Sequence, residues 1–394
     1  TPEEPPVGGP PPLPALDVEQ AVASGIQRLL ELQSRYEPDE PVPRQPAGKL
    51  EAWQEQERAR LAEQRAAAGE QRNEWPYEGV YRVGGEIPAG YRVGGSAIVC
   101  LALLEAPGFG ADSARRAAVE RSLDFILTQL AEHPALISGR KRGYDVRGWG
   151  FVYALELCLA LRRQGGLAPE RGAAIDAAVR ELLARLADNQ TESGGWNYAD
   201  DRRHSPFQTG VTLLALFEAR AQGFQFDGTL IERALEALES GRDPETGAFA
   251  YAGPGREPMH ASAARAAVAE LCRFRAGRGH ADDLERAVRG FFDGWEHLLA
   301  RKSRQGTHEG PYGIAPYYFF FGHAYTAQAI EALPEARRAI PRSRLRELLG
   351  RTREPDGTWN DRIFPRSAAF GTAMALRALL ADSVGAAPQP ARGD

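Results

Sequence analysis

Six segments of the chain are apolar on nearly every side, with Ala, Leu and Val recurring over three to four helical turns. Most of them close near an Ala-Leu or Glu-Leu pair, as at 215–216 and 270–271. A helix without a polar face is buried on most sides, so the pattern predicts six interior helices. The segments begin at Tyr91, Arg147, His204, Met259, Phe320 and Arg366.

Amphipathic segments lie between the apolar ones, and each has a charged side and an apolar side. Their apolar residues follow the i, i+3, i+4, i+7 spacing of a helix with one face in water. These segments span roughly residues 18–33, 113–130, 171–188, 228–240, 282–299 and 342–350. Six interior helices alternating with six amphipathic ones predict two concentric layers, an all-α (α/α)6 toroid of six outer–inner helix pairs.

The connectors from outer to inner helices carry a glycine followed by an aromatic residue. Examples are Gly-Gly-Trp-Asn-Tyr at 194–198, Gly-Ala-Phe-Ala-Tyr at 247–251 and Asp-Gly-Thr-Trp at 356–359. Glycine supplies the positive φ of a tight turn, and the aromatic ring packs beneath it. One such turn is weak evidence, but its recurrence ahead of successive apolar helices indicates a repeat.

One segment, residues 36–72, interrupts the repeat between the first amphipathic and the first apolar helix. It contains a charged helix over about 49–68, with few apolar anchors such as Trp53 and Leu61. We interpret it as an insertion at one mouth of the ring, either a surface excursion or a lid. The remainder predicts one toroid domain over 17–382, a disordered Pro-rich segment over 1–16 and a disordered tail over 383–394.

Composition and charge reduce the number of functions that fit this chain. The formal net charge of −5 gives no electrostatic case for nucleic-acid binding, and no apolar run is long enough to span a bilayer. Cys100, Cys158 and Cys272 all lie on apolar helical faces, which predicts three core cysteines without a disulfide. The Pro-rich start and the absence of an initial methionine lead us to expect a secreted or periplasmic protein.

The repeat units resemble those of the prenyltransferase/squalene-cyclase superfamily. The best matches are Ser-Gly-Gly-Trp at 193–196 followed by the apolar segment at 204–216, and Pro-Asp-Gly-Thr-Trp-Asn at 355–360. The resemblance covers about residues 17–382. It implies the toroid and a central cavity lined by residues where the inner helices start, but it does not by itself imply an activity.

The chemistry of that superfamily can be tested against this sequence. Class II terpene cyclases of the family use an Asp-x-Asp-Asp acid at the start of an inner helix, where this chain has Ser205, Phe207 and Gln208. Protein prenyltransferases hold zinc with Asp, Cys and His, and His323 resembles the histidine without an Asp-x-Cys partner. The cyclase acid and the zinc set are therefore both absent, and we predict no metal and no cofactor.

The positions where inner helices start are rich in Arg, His, Tyr and Asp, which predicts a polar central cavity for a polar or anionic ligand. The turns and helix starts also bring Tyr77, Tyr81, Tyr91, His308 and Tyr318 to this end. The candidate catalytic residues are His204, His260, His323, Asp200 and Asp201. The candidate ligand-binding residues are Arg92, Arg147, Tyr144, Trp149, Trp196, Tyr198, Arg203, Tyr312, Tyr317, Asp361 and Arg362.

These residues support a small-molecule or glycan ligand, with three functions left open. The first is a uronate eliminase or glycan hydrolase, in which Arg92 or Arg147 neutralises a carboxylate and His204 or His260 removes the α-proton. The second is a non-catalytic binding or scaffold module. The third is a terpenoid-processing enzyme with an atypical acid. The first requires the Arg and His side chains, including His323, to converge on one pocket; salt bridges and helix caps are their alternative roles.

Overall fold

The computed structural model describes residues 16–37, 50–136, 146–198 and 202–384. Over these ranges the chain forms fourteen α-helices and four short 3-10 turns, and its only β-pairing is in isolated bridges. The all-α class predicted from periodicity is confirmed. The predicted terminal segments lie almost entirely outside the described ranges.

Six helices form the inner layer, and nearly every residue along them is buried. They are α3 (Ala89–Glu105), α5 (Arg147–Gln164), α7 (Pro206–Ala221), α9 (Met259–Arg275), α11 (Tyr318–Ala332) and α13 (Ala368–Leu379). Each contacts the next inner helix along the chain, and α13 contacts α3, so the layer closes into a ring. This closure explains why the inner segments lack a polar face.

Six amphipathic helices surround the ring. They are α1 (Val18–Leu32), α4 (Ser113–Glu132), α6 (Pro169–Asp188), α8 (Thr229–Ser240), α10 (Ala281–Leu299) and α12 (Ala339–Arg351), and a short α14 (Ala381–Val384) follows α13. Helix α1 packs on α13, so the first outer helix covers the last inner one. A Cβ built on Gly25 of α1 would lie 2.9 Å from the Leu376 side chain, so a larger residue at this crossing would require Leu376 to move.

The Gly/aromatic turns repeat one hydrogen-bonding device. The indole N–H of Trp196 donates to the carbonyl of Leu186 at 2.7 Å, and its backbone N–H donates to Thr209 Oγ1 at 2.9 Å. Each turn thereby joins the end of an outer helix to the second turn of the next inner helix. Gly194, two residues before Trp196, has φ +96°, and a Cβ there would lie 2.6 Å from the Arg233 carbonyl oxygen. The same pair of bonds recurs at Trp75 with Leu29 and Ser96, and at Trp359 with Leu349 and Thr372.

The insertion contributes helix α2 (Leu50–Ala68), in which Leu61 is the one buried residue. The helix lies against the segment that leads into α13: Gln54 Nε2 donates to the Ile363 carbonyl at 2.9 Å, and the Trp53 ring meets the Phe364 ring edge-on at 6.3 Å. The predicted helical insertion is confirmed. It covers the outside of one connector of the ring.

Candidate functional site

A pocket opens where the inner helices start, on the axis of the ring. Its walls enclose about 440 Å³, part of which is open to solvent. The centres of water molecules can occupy about 40 Å³ of this volume. That clear space holds two or three waters at roughly 15 Å³ each. The lining residues are Tyr81, Tyr91, Val146, Trp149, Tyr198, Phe207, Thr307, His308, Ala315, Tyr317, Tyr318 and Arg362.

The walls of the pocket are mainly aromatic. Trp149 Nε1 donates to the Tyr317 hydroxyl at 2.7 Å, and the Tyr317 ring stacks on Phe370 with centroids 5.3 Å apart. Phe207 meets Tyr318 edge-on at 5.3 Å. Aromatic rings are electronegative on their faces, so this arrangement favours apolar and cationic groups.

One wall residue is held in a strained conformation. Val146 precedes α5 with φ +51°, in the left-handed region that a β-branched side chain rarely adopts. Such strain costs on the order of 1–3 kcal/mol and concentrates at functional sites. Its position in the wall makes this pocket a candidate functional site.

Three buried polar residues form a hydrogen-bonded triad at the aromatic wall: Arg362 lines the pocket, and Tyr77 and Asp361 lie directly behind it. Tyr77 donates its hydroxyl proton to Asp361 Oδ2 at 2.9 Å and accepts a hydrogen bond from Arg362 Nε at 2.8 Å. Asp361 Oδ1 and Arg362 Nη1 are buried and have no hydrogen-bond partner among the described residues. The Tyr77 ring contacts the rings of Trp149 and Tyr317, which connects this triad to the pocket.

The triad contains a carboxyl group that titrates near neutral pH. Burial raises the pKa of Asp361 to about 6, although the charge of Arg362 and the hydrogen bond from Tyr77 act in the opposite direction. Burial also raises the pKa of Tyr77 well above its ordinary value, so its hydroxyl stays neutral. Asp361 can therefore hold a proton in mildly acidic solution, and Oδ1 is the free oxygen that would hold it.

The structure brings some of the predicted site residues together. Trp149, Tyr198, Tyr317 and Arg362 line the pocket, and Asp361 lies behind it. Their roles in binding or catalysis remain predictions. Phe207 was considered only as a position for the cyclase acid, and its contribution to the aromatic wall was missed, as was that of Phe370.

The three predicted catalytic histidines do not meet at the pocket. His204 is buried beneath its own turn, with Nδ1 2.9 Å from Ser193 Oγ, and burial lowers its pKa to about 4. His323 is buried between α10 and α11, where its Nδ1 donates to the Phe319 carbonyl at 2.8 Å and its Nε2 accepts from Trp295 at 3.0 Å. Burial therefore favours the neutral form of both imidazoles, and the structure does not bring them to the pocket. Their roles as acid–base groups remain predictions.

His260 lies in a different place. Its ring is 5.0 Å from His297 and 5.4 Å from Tyr312, and neither His260 nor Tyr312 lines the pocket. Helix rotation explains this: His260 is the second residue of α9, on the side that faces the outer helix α10. The structure therefore does not bring His260 and Tyr312 to the pocket, and their roles in catalysis and binding remain predictions.

The remaining arginines and Trp196 serve the scaffold or lie away from the pocket. Arg92 Nε pairs with the buried Glu74 at 2.8 Å, and Arg203 is exposed. Trp196 closes its own turn, and Arg147 begins α5 without lining the pocket. The predicted convergence of Arg92 and Arg147 with the histidines is not found, so the cavity is aromatic where a polar one was expected.

Three predicted residues, Tyr144, Asp200 and Asp201, lie outside the described residues. Over the ranges that the structure describes, no three His, Cys, Asp or Glu side chains come close enough to hold a metal ion. Over the same ranges, no helix is both long and apolar enough to cross a membrane. The three cysteines are fully buried in the core, as predicted, and burial raises the pKa of each thiol to about 12.

The chain matches no protein-family model and no curated protein in sequence. Its fold is similar to that of the type II terpene cyclase MstE from Scytonema, with a TM-score of 0.50 and 14% identity over 92% of this chain and 97% of that chain. A variant of MstE solved with its substrate, geranylgeranyl dihydroxybenzoate, gives 0.50 and 13% over 93% and 97%.

A second similar structure is the GH76A α-1,6-mannanase from Salegentibacter sp. HEL1_6, with a TM-score of 0.52 and 10% identity over 92% of this chain and 98% of that chain. At such identities these likenesses concern the fold. The resemblance inferred from the repeats is confirmed at that level: the chain is an α/α toroid of the kind found in terpene cyclases and in glycoside hydrolases.

Proposed function

We propose that the protein is a terpenoid-processing enzyme that holds an isoprenoid chain in the aromatic pocket and protonates it with Asp361. The observation that carries the proposal is a buried, unpaired carboxyl oxygen directly behind a wall of Tyr, Trp and Phe side chains. The function replaces the polar-ligand hypothesis, because the arginines and histidines on which that hypothesis depended are dispersed through the scaffold.

The proton step follows from the triad. The Asp361 carboxyl gives its proton to one carbon of an alkene, the π electrons form the new C–H bond, and the neighbouring carbon becomes cationic. Tyr77 and Arg362 stabilise the carboxylate left behind through a hydrogen bond and a positive charge. The faces of the aromatic walls stabilise the carbocation, and loss of a proton from that cation to the carboxylate completes the reaction.

The pocket must widen to hold an isoprenoid chain, since its clear space fits only a few waters. Tyr81 and Tyr198 are half-buried at its rim, and the Tyr198 hydroxyl is 2.9 Å from that of Tyr251. We infer that rotation of these rim side chains widens the pocket. The aromatic residues deeper in the pocket are fixed by one another and by the Trp149–Tyr317 hydrogen bond.

The glycan alternative has less support in the described part of the chain. Glycoside hydrolysis generally requires two carboxylates roughly 5–9.5 Å apart across the bond. None of the described residues that line the pocket is a carboxylate, and Asp361 would supply only one of the two. The uronate mechanism needs an Arg–His pair, and Arg92 and His204 are both used elsewhere.

A melting-temperature screen tests the ligand class. Geranylgeraniol and N,N-dimethyldodecylamine, whose ammonium group mimics a carbocation, are expected to raise the Tm, and the amine is expected to exceed dodecanol because of cation–π attraction. A ligand at 100 times its Kd stabilises by about 2.7 kcal/mol. The opposite pattern, in which mannotriose or trigalacturonate raises the Tm and the prenyl alcohol does not, would overturn the proposal.

The acid is tested with geranylgeraniol and squalene in D₂O, because a proton-initiated reaction places one deuterium on carbon in the product. We expect mass spectrometry to detect this label with the wild type and not with D361N, while D361N keeps the ligand-induced rise in Tm. D382N, the same change at an exposed carboxylate paired with Arg346, is the matched control and should keep the label. Undiminished labelling by D361N would exclude Asp361 as the acid.

A further inference from the structure

A second cavity lies between the insertion helix α2, the outer helix α1 and the connector that leads into α13. It is a groove of about 1140 Å³, open to solvent on one side, and it shares no lining residue with the aromatic pocket. Arg28, Arg58, Arg65 and Arg72 all line it. We call it the arginine groove.

The carboxylates of the arginine groove are already engaged. Glu31 pairs with Arg28, and Asp356 Oδ2 lies 3.5 Å from the same guanidinium. Glu354 pairs with Lys302 at 2.6 Å. The ion pairs of these carboxylates are therefore with Arg28 and with a lysine outside the groove, and Arg58 interacts with Asp356 only through longer-range attraction.

Three guanidinium groups are left without an ion pair among the described residues. Arg72 Nε donates only to the Gly69 carbonyl at 3.0 Å, while Arg58 and Arg65 make no described hydrogen bond or ion pair. The Nε of Arg65 is buried and lacks an acceptor. A cationic N–H donor that is buried without an acceptor has lost its hydrogen bonds to water, and no protein hydrogen bond replaces them.

The environment of Arg65 is cationic as well as buried. Burial, together with the charges of Arg366, Arg72 and Arg28, lowers the pKa of Arg65 to about 10. Such like-charge clustering is unfavourable in the free protein, and a bound dianion removes it. Guanidinium groups suit this task because their planar forks bind phosphate oxygens in pairs.

We propose that the arginine groove is an anion site that binds the phosphate group of a small molecule through Arg58, Arg65 and Arg72. Because α2 supplies two of the three ligands, binding fixes the insertion helix against the ring, beyond its contacts through Trp53 and Gln54. The site does not depend on the terpenoid-processing function, since the two cavities are separate.

Calorimetric titration of the full chain with sodium diphosphate and inorganic phosphate, at constant ionic strength and pH 7.5, tests the site. We expect saturable binding that R65Q weakens about 10- to 100-fold, the usual effect of removing a charged hydrogen bond. R60Q is the matched control: it makes the same change on the same helix, at an arginine that pairs with Glu57 outside the groove. Its effect should stay below about threefold because of screening.

A structural role for Arg65 gives a different result. If Arg65 supports the fold, R65Q lowers the Tm of the ligand-free protein; the anion site predicts an unchanged or higher Tm, because no partner is lost. R58Q, at an exposed position, provides a second variant with the same expected loss of binding. Absence of heat with both anions, or equal weakening by R65Q and R60Q, would overturn the proposal.

The source of the phosphate is resolved by a sedimentation arm with phosphatidylglycerol vesicles. Vesicle binding that R65Q abolishes assigns the groove to a lipid headgroup, whereas binding of free diphosphate without vesicle binding assigns it to a soluble phosphate. Protection of residues 50–68 from hydrogen exchange on adding diphosphate is expected in the second case, because the anion joins α2 to the ring.

Discussion

The two ends of the inner ring use charged residues in opposite ways. Where the inner helices start, Asp361 lies behind an aromatic wall and Arg362 is part of the pocket lining, and each keeps one buried polar atom without a described partner. Where the inner helices end, an opening of about 1720 Å³ is lined in part by charged residues, and Arg377 and Arg163 pair there with Glu105, Glu156 and Glu218. The first end has unused hydrogen-bonding capacity; at the second, most of it is used to hold the ring together.

The pairs at the second end join neighbouring inner helices. Arg377 of α13 donates from Nε to Glu105 of α3 at 2.9 Å and also pairs with Glu156 of α5, with Nη1 left over. Arg163 of α5 pairs with Glu218 of α7 at 2.7 Å. Arginine is favoured here because helix C-termini carry partial negative charge. The proposed function places its acid at the other end, where the described charged residues are fewer.

The largest effect is expected from replacing Arg377 by leucine. Glu105 and Glu156 then lose their shared cation, and burial already raises the pKa of Glu105. Breaking a buried ion pair costs about 3–5 kcal/mol, so the free energy of unfolding measured in urea should fall by that amount. R163Q, at a side chain that is 51% exposed, should cost less than about 1 kcal/mol. Similar values for the two variants would contradict the structural role of this end.

A smaller effect is expected from the pH dependence that Asp361 contributes. Its folded pKa of about 6 lies above the unfolded value near 3.9, so the folded state binds the extra proton. The resulting stability is complete below about pH 4 and is lost as the pH rises through 6, on the order of 3 kcal/mol in all.

Urea unfolding of D361N from pH 4 to pH 7 measures this contribution. We expect the free energy of unfolding of the wild type to fall as the pH rises over that range, and we expect D361N to lack this fall. D361N should therefore become more stable relative to the wild type with rising pH. D382N should keep the wild-type slope. An identical slope in D361N and the wild type would show that the carboxyl is not held in its neutral form.

The smallest of the three effects is expected within the aromatic wall. Y317F removes the acceptor of the Trp149 indole N–H and leaves a buried donor unpaired, which costs about 1–3 kcal/mol. Y251F, which breaks the half-buried hydroxyl pair with Tyr198, should change the free energy of unfolding by less than about 1 kcal/mol. If Y251F lowers the free energy of unfolding more than Y317F does, the prediction is contradicted, and the rigid part of the pocket is at its rim.

The helices could be predicted from the sequence because burial on all sides and burial on one side leave different periodic patterns. The predicted outer segment 113–130 corresponds to α4 (Ser113–Glu132), and the predicted interior segment that begins at Met259 corresponds to α9 (Met259–Arg275). The Gly/aromatic turns were predictable for a similar reason: their φ and their packing require particular residue types.

The site could be predicted only in part because neighbouring helical positions point in different directions. Tyr91 lines the pocket, whereas Arg92, the next residue of α3, is turned by about 100° and pairs with Glu74. His323 likewise faces Trp295 of an outer helix. Polar residue types near a helix start therefore indicated the end of the ring, but not which side chains face its axis.

The sequence by itself determined the twelve-helix repeat, the two layers, the helical insertion and the end of the ring where a cavity opens, because these depend on periodicity and turn chemistry. Only the tertiary structure decided that the cavity is aromatic, that Asp361 is buried beside Tyr77 and Arg362, and that the insertion creates an arginine groove. The physical reason is that pairing and burial depend on which residues, often hundreds of positions apart, ring closure brings into contact.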